Sequence, residues 1–257
     1  MTGTLVATAS ARGVATLTLD SPTNRNALSS ALISQLLDAL AGAVADPAVR
    51  MVVLSHTGPA FCSGADLAET EAARATGELP AARMGELLQA VWECPKPVVA
   101  RVGGPARAGG LGLVAAADIA VCPTEATFAF SEVRLGVVPA VISVTVLPRL
   151  TSRAAAELFL TGEVFDGTRA AQVGLVTAAV PATDLDARVD RYVAALLRGA
   201  PGALAGAKEL LHRTPGTFDD DLAELTALSV SYFRSAEGLE GVAAFRQKRD
   251  PGWILHD

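Results

Sequence analysis

Ala60-Phe61-Cys62-Ser63-Gly64-Ala65-Asp66-Leu67 and Ala106-Arg107-Ala108-Gly109-Gly110-Leu111-Gly112 are the two stretches that decide how this chain folds. Each follows a β-branched-rich run, Met51 to Ser55 and Val98 to Val102, and leads into a helical pattern. A strand, a glycine turn and a helix start leave backbone N–H groups unpaired and pointing outward. Two such turns brought together bind an oxyanion, the charge that develops on a carbonyl oxygen when its α-carbon reacts. Downstream, Phe130-Ser131-Glu132-Val133-Arg134-Leu135-Gly136 sets a carboxylate in an otherwise apolar stretch. Donors and one poised acid make a catalytic set. On pattern alone, the glycines could equally serve only to reverse the chain.

Outward from these turns, the pattern alternates strand and helix. Leu5 to Thr8 and Val14 to Leu19 read as a hairpin around Ser10-Ala11-Arg12-Gly13. Ser29 or Ser30 caps a helix with Leu32, Ile33, Leu36, Leu37, Leu40 and Val44 on one face, and Asp46-Pro47 stops it. Met51 to Leu54 reads as a strand buried on both faces. Pro80 to Val91 is helical, Leu111 to Ala117 is a short apolar helix, and Ile119 to Cys122 and Thr127 to Phe130 are strands. Val141 to Leu147 is strand-like in composition, yet its place after Gly136 and Pro139 suits a helix. After about Asp184 only helices follow, at Asp184–Gly199, Ala203–Arg213, Phe218–Phe233 and Ala236–Arg249. That order predicts an α/β core with a helical C-terminal part.

Composition narrows the classes. At 257 residues the chain can bury a sizeable core, and 51% hydrophobic with 19% charged residues describes a globular, aliphatic protein. A net charge of −6 argues against general nucleic-acid binding, which works by neutralising phosphates. Cys62, Cys94 and Cys122 are odd in number and widely spaced, so neither a disulfide framework nor a zinc pattern is expected, and the three histidines lack metal spacing. Met1 to Leu19 has no signal-peptide pattern and no run reaches membrane-spanning length. A cytoplasmic protein with no membrane partner is expected.

Both turns and the Glu132 segment resemble the crotonase (enoyl-CoA hydratase/isomerase) superfamily. So do Lys96-Pro97-Val98-Val99-Ala100, Ala117-Asp118-Ile119, Asn24-Arg25-Asn26-Ala27-Leu28, the run from Leu160 to Val176 and the tail from Glu240 to Arg249. The resemblance runs in order from about Leu17 to Lys248. It implies a spiral of ββα units over residues 1–195 and a helical oligomerisation region at 196–257, forming a homotrimer or hexamer. It also favours a helix at Val141 to Leu147. The implied ligand is an acyl-CoA thioester, coenzyme A entering as part of the substrate, with no tightly bound cofactor and no metal. Glu132, Ala65 and Gly109 take the catalytic positions, and Ala27, Gly64, Asp66, Leu67, Gly110 and Gly112 the substrate-binding ones. The resemblance makes Arg25 and Lys248 candidates for the phosphates of coenzyme A, the alternative for each being a solvated face, and it leaves the acyl pocket to be shaped by the Thr70–Pro80 region.

Several alternatives stand beside that implication. Gly110-x-Gly112-x-x-Ala115 fits a loose dinucleotide fingerprint, but the Gly103–Gly109 loop is too long for its tight turn and no opening βαβ unit surrounds it. Asp66 also suits the cap of the following helix. Glu132 is either a base with a pKa raised among Phe128, Phe130, Val133 and Leu135, or a solvated turn residue paired with Arg134. Arg107 is an exposed loop arginine or meets a carboxylate on the acyl chain. Gly112 stands where the family's two-glutamate hydratases carry their first glutamate. A single carboxylate can still hydrate a 2-enoyl-CoA, the preferred activity, or isomerise its double bond. A non-catalytic CoA-binding or assembly subunit is the alternative of another class.

Overall fold

The computed structural model describes residues 3–73 and 81–254. Residues 74–80 of the segment expected to shape the acyl pocket, with Pro80 of the expected helix start, lie outside the described residues.

Strand β1 (Val6–Ala11) and β2 (Val14–Leu19) form the expected hairpin, longer on its first strand, with Arg12 and Gly13 both at positive φ in the turn. Ser29 caps α1 (Ser30–Ala45) by accepting from the Leu32 N–H, and Leu32, Ile33, Leu36 and Leu40 are buried as their spacing predicts. β3 (Met51–His56), α2 (Leu67–Ala73), α3 (Ala81–Trp92), β4 (Val98–Arg101), β5 (Ala106–Arg107) and α4 (Gly109–Ala116) follow. Next come β6 (Ile119–Pro123), β7 (Thr127–Ala129), a 3-10 turn at Ser131–Leu135 and α5 (Ala140–Val146), so Val141 to Leu147 is helical. α6 (Ser152–Thr161), β8 (Phe165–Asp166), α7 (Gly167–Gln172) and β9 (Ala178–Val180) complete the mixed part, and α8 (Leu185–Leu197), α9 (Pro201–His212), α10 (Phe218–Arg234) and α11 (Ala236–Gln247) end it.

The main sheet has the order β1-β2-β3-β4-β6-β9, parallel throughout except for the β1–β2 hairpin. Its central strands alternate between two cores. Val52 and Leu54, Val98 and Ala100, and Ala120 and Cys122 face the larger core with α1, α3 and α4. Met51 and Val53, Val99 and Val121 face Leu185 and Val189 of α8. The two-residue period of a strand explains the division, and each large aliphatic side chain buried this way contributes about 1.5–3 kcal/mol.

A small second sheet, β5-β7-β8, stands beside the first. Each pass of the chain runs from a main-sheet strand through a short outer strand into a helix: β4-β5-α4, then β6-β7 and on to α5. Stacking these ββα passes makes a spiral. Around the two turns the pairing is parallel, Cys62 with Ala106 and Ala106 and Arg107 with Phe128 and Ala129, while β8 joins β7 antiparallel. Three consecutive loops therefore leave one edge side by side.

Helix α9 is fastened to the core by a buried ion pair. Lys208 Nζ lies 2.8 Å from Asp118 Oδ2, which also accepts from the Val98 N–H at 2.7 Å. Asp118→Ala is expected to strand that ammonium and the Val98 N–H, costing about 3–5 kcal/mol. Denaturant unfolding checks it, and a change below 1 kcal/mol would contradict the role. Helix α10 is different, because none of its residues is buried and Phe218 and Phe233 are 79% and 67% exposed.

Candidate active site

The two glycine turns run alongside each other. Arg107 N–H donates to the Cys62 carbonyl at 3.0 Å, and Phe61 N–H donates to the Pro105 carbonyl at 3.0 Å. A Cβ on Gly64, at φ +93°, would fall 2.9 Å from Ala108 Cβ and 3.1 Å from the Arg107 carbonyl. Cys62 faces Ala106 and Gly64 faces Ala108 with the same offset, so Ala65 and Gly109 are the next residues along the two turns.

Backbone pairing then leaves the N–H groups of Ala65 and Gly109 unused. Leu28 N–H donates to the Gly64 carbonyl at 2.7 Å and the Asp66 N–H reaches back to the Leu28 carbonyl at 3.5 Å. These bonds flank Ala65, so its own N–H points away from Leu28. Gly109 opens α4, and a first-turn N–H has no partner within its helix. Among the described residues, neither N–H makes a hydrogen bond.

Two features missed in the sequence hold this geometry. Ala108 adopts φ 47°, ψ −119°, a conformation costing about 1–3 kcal/mol for a residue with a side chain. It is fixed from both ends, since its N–H donates to the Ala129 carbonyl at 3.3 Å and its carbonyl accepts from Leu111 at 2.9 Å. The helix consequently begins at Gly109, two residues before the expected Leu111. Gly110 lies against Cys62, where a Cβ would meet the Cys62 carbonyl at 2.8 Å. Asn26, fully buried at φ 56°, is the second feature. Its Oδ1 accepts from Ser21 N–H at 2.8 Å, while Nδ2 donates to the Thr57 and Ala60 carbonyls at 3.0 and 2.9 Å. That amide pins the loop carrying buried Ala27 and Leu28 against the first turn.

Glu132 leaves the same edge. β5 and β7 are paired at Arg107 and Ala129, so Gly109 follows two residues beyond that pair and Glu132 three. Its carboxylate is half-buried, and Oε2 is shielded from water with no hydrogen-bond partner among the described residues. Burial pushes its pKa above the ordinary carboxylate value. Arg134, the alternative partner, donates instead to the Thr161 carbonyl at 3.2 Å. Phe128 and Phe130 are fully buried beneath the turn, Phe130 at 4.5 Å from the Phe159 ring. Leu135 is 62% exposed and does not contribute to the shielding expected of it.

The remaining residues divide by place. Asp66 Oδ1 accepts from Ala68 and Glu69 N–H at 3.1 and 3.0 Å, capping α2, whose Leu67 is exposed. Gly112 is buried inside the contact of α4 with α5, with Ile142 Cγ2 only 2.8 Å from where a Cβ would stand. A glutamate therefore has no room in the helix at that position. Arg107 is neither loose nor free for an acyl carboxylate, as it is partly buried and donates to the Ala106 carbonyl and the Thr127 carbonyl and hydroxyl. Arg25 and Lys248 are exposed, each at a left-handed helix end, Lys248 closing α11 far along the chain from the turns. The Cys62 thiol beneath the turns is pushed up to about 12 by burial, which removes it as a nucleophile.

Comparison with known proteins agrees with this architecture. Residues 9–255 match the family model described as enoyl-CoA hydratase/isomerase. An enoyl-CoA hydratase structure from Mycobacterium smegmatis is 34% identical, with 98% of this chain and 100% of that one covered at a TM-score of 0.91. One from Mycobacterium avium is 47% identical, covering 98% and 100%, with a TM-score of 0.73. Carnitinyl-CoA dehydratase of Proteus mirabilis is 33% identical over 81% of this chain and 82% of its own. The paired turns, the ββα spiral and these matches place the chain in the enoyl-CoA hydratase/isomerase family, with the crotonase fold.

Proposed function

We propose that the protein adds water across the double bond of a 2-enoyl-CoA thioester, with Glu132 as its single acid–base group. The observation that carries this is the buried Glu132 Oε2, which, like the N–H groups of Ala65 and Gly109 in the two turns, has no hydrogen-bond partner among the described residues. The N–H groups of Ala65 and Gly109 hold the thioester oxygen, and each such donor is worth about 3–4 kcal/mol once that oxygen gains charge. Glu132 takes a proton from water as the oxygen of that water bonds to C3. The electron pair of the double bond moves toward the thioester, giving an enolate. Glu132 then returns the proton to C2, on the face from which water added, which makes the addition syn. Gly64 and Gly110, packed against Ala108 and Cys62, let the two turns close on each other, and Ala27 lies buried in the loop behind them. Asp66 and Leu67 border the substrate, and Arg25 and Lys248 meet the phosphates of coenzyme A.

The same carboxylate could move a proton from C4 to C2 and shift the double bond instead. The closed position at Gly112 favours both one-carboxylate reactions over a two-carboxylate one. Incubating a 2-enoyl-CoA with the protein separates them. Loss of the enoyl-thioester absorbance with formation of a 3-hydroxyacyl-CoA supports hydration, whereas a 3-enoyl-CoA gaining that absorbance supports isomerisation. No reaction with either would favour a non-catalytic subunit. The base must be ionised, so activity falls as pH drops through its pKa. The raised value places that acid limb above the ordinary glutamate range, and a kcat/KM profile checks it.

Exposed apolar side chains on α10, including Phe218, Leu222 and Phe233, suit burial against other copies in a trimer or hexamer.

A further inference from the structure

Gly162 ends α6 in the left-handed conformation, at φ +59°, and its N–H donates to the Leu158 carbonyl at 3.1 Å. The 3-10 turn that carries Glu132 rests on this helix end. A Cβ at Gly162 would stand 3.1 Å from the Phe130 carbonyl oxygen and 3.2 Å from both Val133 Cγ2 and Arg134 Cγ. Those atoms bracket Glu132 from both sides. One residue earlier, the Thr161 carbonyl accepts from Arg134 Nε at 3.2 Å, and the Phe159 ring packs 4.5 Å from that of Phe130. The far end of the turn has no comparable support. Gly136 has nothing within 4 Å of its Cβ position, and Leu135, Val137 and Val138 are exposed.

We infer that Gly162 and Arg134 are positioning residues for Glu132: the end of α6 is the seat on which that carboxylate is aimed, and Arg134 clamps the turn to the seat. This inference rests on the acid–base reading of Glu132 above. Only glycine lets the turn settle so closely, since any side chain at position 162 would press on backbone as well as on side chains.

The seat supplies shape and shelter more than charge. Arg134 is turned to the Thr161 carbonyl, and Glu157 of α6 pairs with Arg169 at 2.7 Å. Arg153 at the start of α6 and Glu163 just beyond its end are exposed, and α5 carries no charged residue. Burial raises the Glu132 pKa, opposed by a hydrogen bond from its own backbone N–H. A turn lifted from the seat admits water to Oε2, so the pKa falls back toward the ordinary carboxylate range.

Three variants of the full-length protein test the seat. Gly162→Ala adds the methyl it has no room for, Arg134→Met removes the donor from an exposed side chain, and Arg134→Lys returns one. Calorimetry with butanoyl-CoA, which cannot be hydrated, counts the binding-competent sites, so a partly unfolded sample is not mistaken for a slow one. Per competent site, Gly162→Ala is expected to lower kcat about 10- to 100-fold, the scale of a slightly misplaced catalytic group. Arg134→Met should lower it about tenfold, the worth of one hydrogen bond from a charged donor, and Arg134→Lys should recover most of that. Affinity for butanoyl-CoA is expected to stay unchanged. A carbon NMR titration of the Glu132 carboxyl, assigned by its absence in Glu132→Gln, should give a lower pKa in Gly162→Ala and Arg134→Met than in the wild type. Wild-type kcat in both variants, or one Glu132 pKa in all, overturns the inference and leaves the hydratase reading standing. A loss of affinity equal to the loss of kcat also overturns it, because the whole site would then have moved. A wild type without turnover sinks the hydratase reading, and a lowered carboxyl pKa in the two variants would still uphold the seat.

Discussion

Glu132→Gln is expected to lower kcat by about 100- to 10,000-fold, the usual contribution of a positioned acid–base group, while acyl-CoA affinity stays close to wild type. Glutamine keeps the shape and a hydrogen-bonding head but cannot take a proton from water. Gly112, sealed by Ile142, leaves no second carboxylate to carry a residual reaction at that position. The same substitution is expected to raise thermal stability at neutral pH. Above its raised folded-state pKa the carboxylate is charged and half-buried, with Oε2 partnerless among the described residues, which costs stability. Below that pKa it is neutral, so the advantage of the variant shrinks as pH falls through it. Kinetics with melting curves at two pH values check both effects. A variant with near wild-type kcat would remove Glu132 from the mechanism.

Gly64→Ala should damage turnover nearly as much by a different route. Its φ of +93° is one that L side chains rarely adopt, and the new Cβ would press on Ala108 Cβ and the Arg107 carbonyl. Neither contact is the free end of a flexible side chain, so the two turns must separate. The cost to stability is about 1–3 kcal/mol. Loss of one oxyanion donor removes a further ~100- to 1000-fold in kcat. Gly13→Ala serves as the control, because Gly13 also has positive φ, at 79°, but lies in the β1–β2 hairpin. It should lose stability and keep its kcat. Equal kinetic loss in both variants would mean that Gly64 matters only for folding.

What the sequence disclosed, and what it concealed, follows from the range of the forces involved. Glycine at 64, 109 and 110 announces turns because the signal is local to each residue. The unbroken apolar run from Met51 to Leu54 announces a strand with two buried faces, and the structure divides it between two cores. β5 and β8, each two residues long, carry no period to detect and exist only through their pairing with β7. The strained Ala108 is invisible for a related reason: alanine has no intrinsic preference for positive φ, and tertiary hydrogen bonds impose it. Choosing between a free and a paired Glu132 needed the Thr161 carbonyl, which takes Arg134 from 27 positions away. Gly112 was legible as a missing carboxylate. That Ile142 fills the space was not, since the contact joins helices separated by two strands and a turn.

The central claim is that Ala65 and Gly109 point their N–H groups at one oxygen while Glu132 faces the double bond. A crystal structure of the Glu132→Gln variant with a bound 2-enoyl-CoA tests it most directly. The account predicts the thioester oxygen about 2.7–3.1 Å from both nitrogens, with the substituted side chain on the face of C2 and C3 that water attacks. A thioester oxygen contacting neither amide, or C2 and C3 turned away from position 132, would contradict it.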